Sequence, residues 1–132
     1  MLDTNICIYA MKHKPESVRK AFQSHHGRMC INTVVLSELV FGAEKSAWPE
    51  KALAVVESFV AHLDIIEFDA QAAYHTAQIR AQLQKVGKPI GAYDYMIAGH
   101  ARSRGLVVVT NNVREFERVD GLLVENWAEN AV

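Results

Sequence analysis

The chain has 132 residues, half of them apolar and 22% charged, which fits one folded domain over 1–132 and excludes a disordered chain. A net charge of -1 excludes capture of nucleic acid by a global basic field, so such a partner needs a local basic patch or bridging cations. No apolar run approaches the ~20 residues of a membrane span, and the start lacks a basic-then-apolar leader, so a cytoplasmic protein without a membrane partner is expected.

In chain order, Met1-Leu2 reads as a short strand ending in Asp3, with Thr4 or Asn5 capping a helix from about Ile6. Cys7, like Cys30, sits in an apolar stretch and reads as a reduced core thiol. Pro15 marks a second helix start, with Val18 and Phe22 on its apolar face. Arg28 to Asn32 reads as a strand. Thr33 is placed to cap a helix carrying Leu36, Glu38, Leu39, Val40 and Ala43. Trp48-Pro49 breaks the chain before a helix over 52–63, with Val55, Val56, Phe59 and Val60 inward. Asp64 to Phe68 alternates like a strand. A long helix over 70–86 shows an apolar side of Ala73, Ala77, Ile79, Ala81 and Leu83, and Gly87-Lys88-Pro89 ends it. Another helix runs from Tyr93 to about Ser103, closed by Gly105. The run Leu106 to Val109 has the character of a strand covered on both faces, and Leu122 to Val124 of a last short strand. This alternation predicts an α/β fold around a short parallel sheet with helices on both faces.

In such sheets, sites form beyond the carboxyl ends of the strands. Asp3 and the segment Thr110-Asn111-Asn112 both fall there. Asp94 lies in a first helical turn, and Glu38 lies beside the apolar stripe of its helix. Carboxylates that converge repel unless they are protonated or share a cation. Oxygen-only ligands suit Mg²⁺ or Mn²⁺, whose chemistry with phosphate is phosphodiester hydrolysis. Each acid also has a plain alternative: Asp3 as a helix cap, Glu38 as a half-exposed surface residue, Asp94 as an ordinary first-turn acid.

The blocks MLDTNICIY, INTVVLSELVFGAEKS, GKPIGAYDYMIAGHARSRGLVVVTNNVREFERV and LLVENW resemble the PIN-domain toxins of bacterial VapBC toxin–antitoxin systems, over nearly the whole chain. The resemblance implies a PIN-domain fold of about four to five strands and an Mg²⁺- or Mn²⁺-dependent endoribonuclease, with Asp3, Glu38 and Asp94 as metal ligands. Asn112 stands where many members have Asp, and the resemblance implies a weaker, neutral ligand there, direct or through water. The resemblance implies that Glu115, one turn on, supplies the missing charge as a supporting or second-metal residue, with an ordinary surface Glu as the plain alternative. Thr4, Asn5 and Thr110 are hydrogen-bonding support for Asp3 and the active water. Family members usually carry a few more residues before the first block.

The resemblance further implies a tRNA substrate cut in the anticodon stem-loop, initiator tRNA leading, and hence inhibition of translation. It implies a cognate VapB antitoxin, a toxin homodimer within a larger complex, and promoter DNA bound only through the antitoxin. Lys12, Lys14, Arg19 and Lys20, or Lys85 and Lys88, are candidate phosphate contacts; a solvated helix face explains them equally. Of Tyr93 and Tyr95, one is expected inside and one free to stack a base. His25-His26 reads as surface loop and His100 as helix packing. Val40, Phe41 and Trp48 are either core or an antitoxin groove. Two competing readings exist. A phosphotransfer enzyme with Asp3 as nucleophile lacks the second Asp, since Asn5 stands there. A catalytically inactive PIN-fold binding protein is favoured only by Asn112.

Overall fold

A computed structural model describes residues 1–13 and 15–128. Lys14, one of the basic cluster, lies outside the described residues. The helices are α1 (Thr4–His13), α2 (Glu16–Ser24), α3 (Thr33–Glu44), α4 (Pro49–Val60), α5 (Ala70–Lys85), α6 (Ala92–Arg104) and α7 (Val113–Phe116). The strands are β1 (Cys30–Asn32), β2 (Asp64–Ile66), β3 (Val107–Val109) and β4 (Leu123–Glu125). Among the described residues no helix is long and apolar enough to cross a membrane.

The strands form two parallel pairs, β1 with β2 and β3 with β4. The N-terminal segment joins them. The Leu2 N–H donates to the Cys30 carbonyl at 2.8 Å, the Val109 N–H to the Met1 carbonyl at 2.8 Å, and the Asp3 N–H to the Val109 carbonyl at 3.0 Å. Leu2 pairs with Val109 in parallel. The lateral order is therefore β2, β1, Met1–Asp3, β3, β4. The connections run outward in opposite directions from the central segment, so Asp3 leaves the sheet where the strand order reverses. Such a reversal opens a crevice at the carboxyl edge.

Several local features differ from the sequence expectation. Asp3 itself caps α1, its Oδ1 accepting the Ile6 N–H at 2.8 Å, so neither Thr4 nor Asn5 is the cap. Asn32, one residue before Thr33, caps α3 by accepting the Val35 N–H at 2.9 Å. In both places the last strand residue doubles as the cap, leaving no loop between strand and helix. The helix α4 begins at Pro49 because the first helical position suits proline. Val55 points to solvent, and only Val56 of that helix is fully buried. The inward face of α5 carries Ala72, Ile79 and Leu83 rather than Ala73, Ala77 and Ala81, which are exposed. Alanine loses little on either face, so its spacing is a poor guide to burial.

The core is centred on α6, which packs against α5, α3 and β3. Its residues Ile97 to Ala101 are all buried. The approach of α5 is closest at Gly99, where an added Cβ would lie 2.7 Å from the Thr76 Cα and 2.6 Å from its backbone nitrogen. Backbone cannot step aside as a side chain can. Gly99→Ala is expected to cost about 3 kcal/mol through overpacking, read as a lower urea midpoint with an unchanged m-value.

Candidate metal centre

Asp3 is 1% exposed at the carboxyl edge of the sheet. Besides capping α1, it accepts the Thr110 hydroxyl on Oδ2 at 2.6 Å. Thr110 immediately follows β3 and is itself fully buried. Its hydroxyl oxygen accepts the Asn112 N–H at 2.8 Å, which fixes the turn into α7. Thr4 serves a different partner from the one expected: its hydroxyl donates to Glu38 Oε1 at 2.5 Å. One dipeptide, Asp3-Thr4, thus positions two acids. Asn5 is exposed, and the half-buried Asn112 engages the site through its backbone.

Asp94 stands in the first turn of α6. The Gly91 backbone passes so close that a Cβ there would lie 3.1 Å from Asp94 Oδ2. Glu115 lies beside Asp94, close enough to help push the Asp94 carboxyl up. Glu115 Oε2 is buried without a partner.

The electrostatics tie these acids into one cluster. Burial, above all, raises Asp3 from 3.8 to about 6; the charges of Glu38 and Glu115 add to this, while the Thr110 and Ile6 hydrogen bonds oppose it. Burial also leads in raising Asp94 to about 7, followed by the neighbouring Glu115 carboxyl and the charges of Asp3 and Glu38. Among the described residues, no Lys, Arg or His forms an ion pair with any of them; the pairs present are Lys20–Glu16 and Arg104–Asp69.

Uncompensated carboxylates and an orphaned buried oxygen suit a hard divalent cation. Among the described residues, no three His, Cys, Asp or Glu side chains form a ready-made cage. Mg²⁺ does not need one, because it keeps several waters and takes one or two carboxylates directly, with substrate phosphate completing the sphere. The donor set therefore fits the cation.

Thr110→Val removes the strongest polar support of the ionised Asp3. The Asp3 pKa should rise above its value of about 6, and the acid limb of the pH–rate profile should move upward with it.

Other candidates fall elsewhere. His25 stacks on Trp127 with ring centroids 4.5 Å apart, and His100 is buried edge-on to Phe68. Cys7 and Cys30 are buried free thiols. Phe41 and Trp48 are exposed and Val40 is partly buried, so the two aromatics are not core. The Arg118 guanidinium donates to the Pro89 carbonyl at 3.0 Å, tying the chain after α7 to the turn before α6. No sequence pattern announces such a contact.

Acids cluster at the reversal point of a short parallel sheet, and the PIN-domain family profile matches residues 1–122. The chain is 60% identical over 128 residues to the tRNA(fMet)-specific endonuclease VapC of Shigella flexneri, covering 97% of each chain. It superposes with a TM-score of 0.94 on a chain of the DNA-bound VapBC structure from Salmonella typhimurium, at 58% identity and 97% coverage of both. It also superposes with a TM-score of 0.92 on a chain of the VapBC2 structure from Rickettsia felis bound to a promoter DNA fragment, at 36% identity, covering 96% of this chain and 97% of that one. The chain belongs to the PIN-domain family, in its VapC branch.

Proposed function

We propose that this protein is the toxin of a type II toxin–antitoxin pair, an Mg²⁺- or Mn²⁺-dependent endoribonuclease that inhibits translation by cutting tRNA in the anticodon stem-loop. Initiator tRNA is the leading substrate, given the specificity named for the Shigella flexneri relative. The observation that carries the chemistry is the cluster of Asp3, Glu38, Asp94 and Glu115 with no ion-pairing cation among the described residues.

Asp3, Glu38 and Asp94 would hold the metal, with Glu115 and Asn112 beside it. When bound, the cation neutralises charge on the phosphate and lowers the pKa of a water. The residues do the rest. Thr110 and the Ile6 N–H orient the two Asp3 oxygens, and Thr4 orients Glu38. Glu115 stands beside Asp94 and adds negative charge to the cluster that a cation would offset. Water attacks phosphorus in line and gives its proton to solvent, the P–O3′ bond breaks, and the 3′-oxygen takes a proton from water. No side chain is required as a covalent nucleophile.

A VapB antitoxin is the expected partner, since related chains stand in VapBC complexes. A toxin homodimer within the larger complex, and promoter contact through the antitoxin alone, complete the reading.

The test is incubation of antitoxin-free protein with total tRNA in Mg²⁺, Mn²⁺ or EDTA. Discrete fragments that require the metal are expected, with the initiator species consumed first. Intact tRNA under every condition, from folded protein, would refute the activity.

A further inference from the structure

Tyr93 and Tyr95 flank Asp94 and meet opposite fates. Tyr95 is 4% exposed, and its hydroxyl accepts the Ile90 N–H at 3.1 Å. Its own N–H donates to the Gly91 carbonyl at 3.0 Å, closing the first turn of α6. Tyr93 is 55% exposed on that same pinned turn. Gly91 and Ala92, its neighbours on the other side, are small and exposed, so neither can shield its ring. Phe41, Trp48, Tyr74 and Tyr93 are the exposed aromatic residues among those described, and of these only Tyr93 adjoins an acid of the cluster in the chain. Adjacent Cα atoms are about 3.8 Å apart, so Tyr93 stands beside Asp94 on the exposed first turn of α6.

We propose that Tyr93 is the stacking platform for an unpaired RNA base next to the scissile phosphate. This rests on the ribonuclease reading and deepens it by naming a substrate property. A base held in a duplex is already stacked on its neighbours, whereas a loop base can splay out onto an aromatic ring. Every base offers a π-face, so the contact is tolerant of sequence. Tyr93 therefore favours unpaired over paired scissile sites and leaves base identity to other contacts.

The test uses two RNA hairpins of the same scissile sequence, one with it in the loop and one with it closed into the stem. For Tyr93→Ala on the loop substrate, KM should rise about tenfold, with kcat changed by less than about twofold. Tyr93→Phe should behave as wild type, because the ring and not the hydroxyl is used. Removing the flanking base as an abasic nucleotide should raise KM for wild type and have no further effect on Tyr93→Ala. Additive losses, equal KM for wild type and Tyr93→Ala, or a Tyr93→Ala variant altered only in self-association by sedimentation would each overturn the proposal. If wild type cuts neither hairpin nor tRNA, the ribonuclease reading falls and this inference with it. If wild type cuts and the variants are indistinguishable, only the inference falls.

Discussion

Asp3→Asn should lower RNA cleavage by about a thousandfold or more while making the metal-free protein more stable at neutral pH. The loss of activity follows from replacing a charged oxygen ligand by a neutral amide at the centre of the crevice. The gain in stability follows from burial. Asp3 is 1% exposed and its pKa is raised from 3.8 to about 6, mainly by desolvation. Its ionisation at neutral pH therefore opposes folding by about 3 kcal/mol. Asparagine keeps an oxygen to cap the Ile6 N–H. The Thr110 hydroxyl must rotate, because it now faces an amide donor, at a cost of about 1 kcal/mol. The net expectation is stabilisation of about 2 kcal/mol in EDTA. Asp3→Ala should do the reverse, since it strips both the helix cap and the Thr110 partner. Urea melts of the three proteins in EDTA, beside one cleavage assay, decide the matter. An Asn variant that melts as early as the Ala variant would show that burial of the charge does not oppose folding.

The second expectation concerns pH and metal together. With both Asp3 and Asp94 raised above the usual carboxylate range, the folded protein holds more protons than the unfolded chain between about pH 4 and pH 7. Their contribution is favourable below the unfolded value and is lost as pH rises through the folded values. In EDTA, stability should accordingly fall across that window, Asp3 alone accounting for about 3 kcal/mol. Asp94 acts in the same direction. A divalent cation takes the place of those protons. It binds the assembled cluster and not the unfolded chain, and at about 100 times its Kd adds about 2.7 kcal/mol. Because the cation competes with protons, that gain should grow with pH and flatten the decline. The check is a melting series from about pH 5 to pH 8 in EDTA and in Mn²⁺, repeated with Asp3→Asn. The variant should show a shallower slope in EDTA and a smaller response to Mn²⁺. Parallel curves in EDTA and Mn²⁺ would mean that these acids do not hold the cation.

Much of this architecture is legible along the chain. Hydrophobic period and the turn residues Pro15, Gly87 and Gly105 mark the helices, and the run at Val107–Val109 marks a buried strand. The placement of Asp3 and Thr110 at strand ends follows from the same local pattern. These signals are local because backbone conformation and amphipathic period are set within a few residues.

Other features depend on which strands become neighbours, and that is a property of the whole core. The Thr110–Asp3 bond spans 107 residues and the Thr4–Glu38 bond 34, so no spacing rule could select Glu38 over Asp3 as the partner of Thr4. Glu115 comes to influence Asp94 because the fold brings the starts of α6 and α7 together. The sequence by itself determined the element order, the strand-end acids and, through its blocks, the family. Tertiary structure alone decided that Tyr95 is inside while Tyr93 is not, that Thr4 meets Glu38, and which face of α5 is buried. A helix or strand is specified by neighbours in sequence, whereas a hydrogen-bond partner or a buried face is specified by what the fold brings alongside.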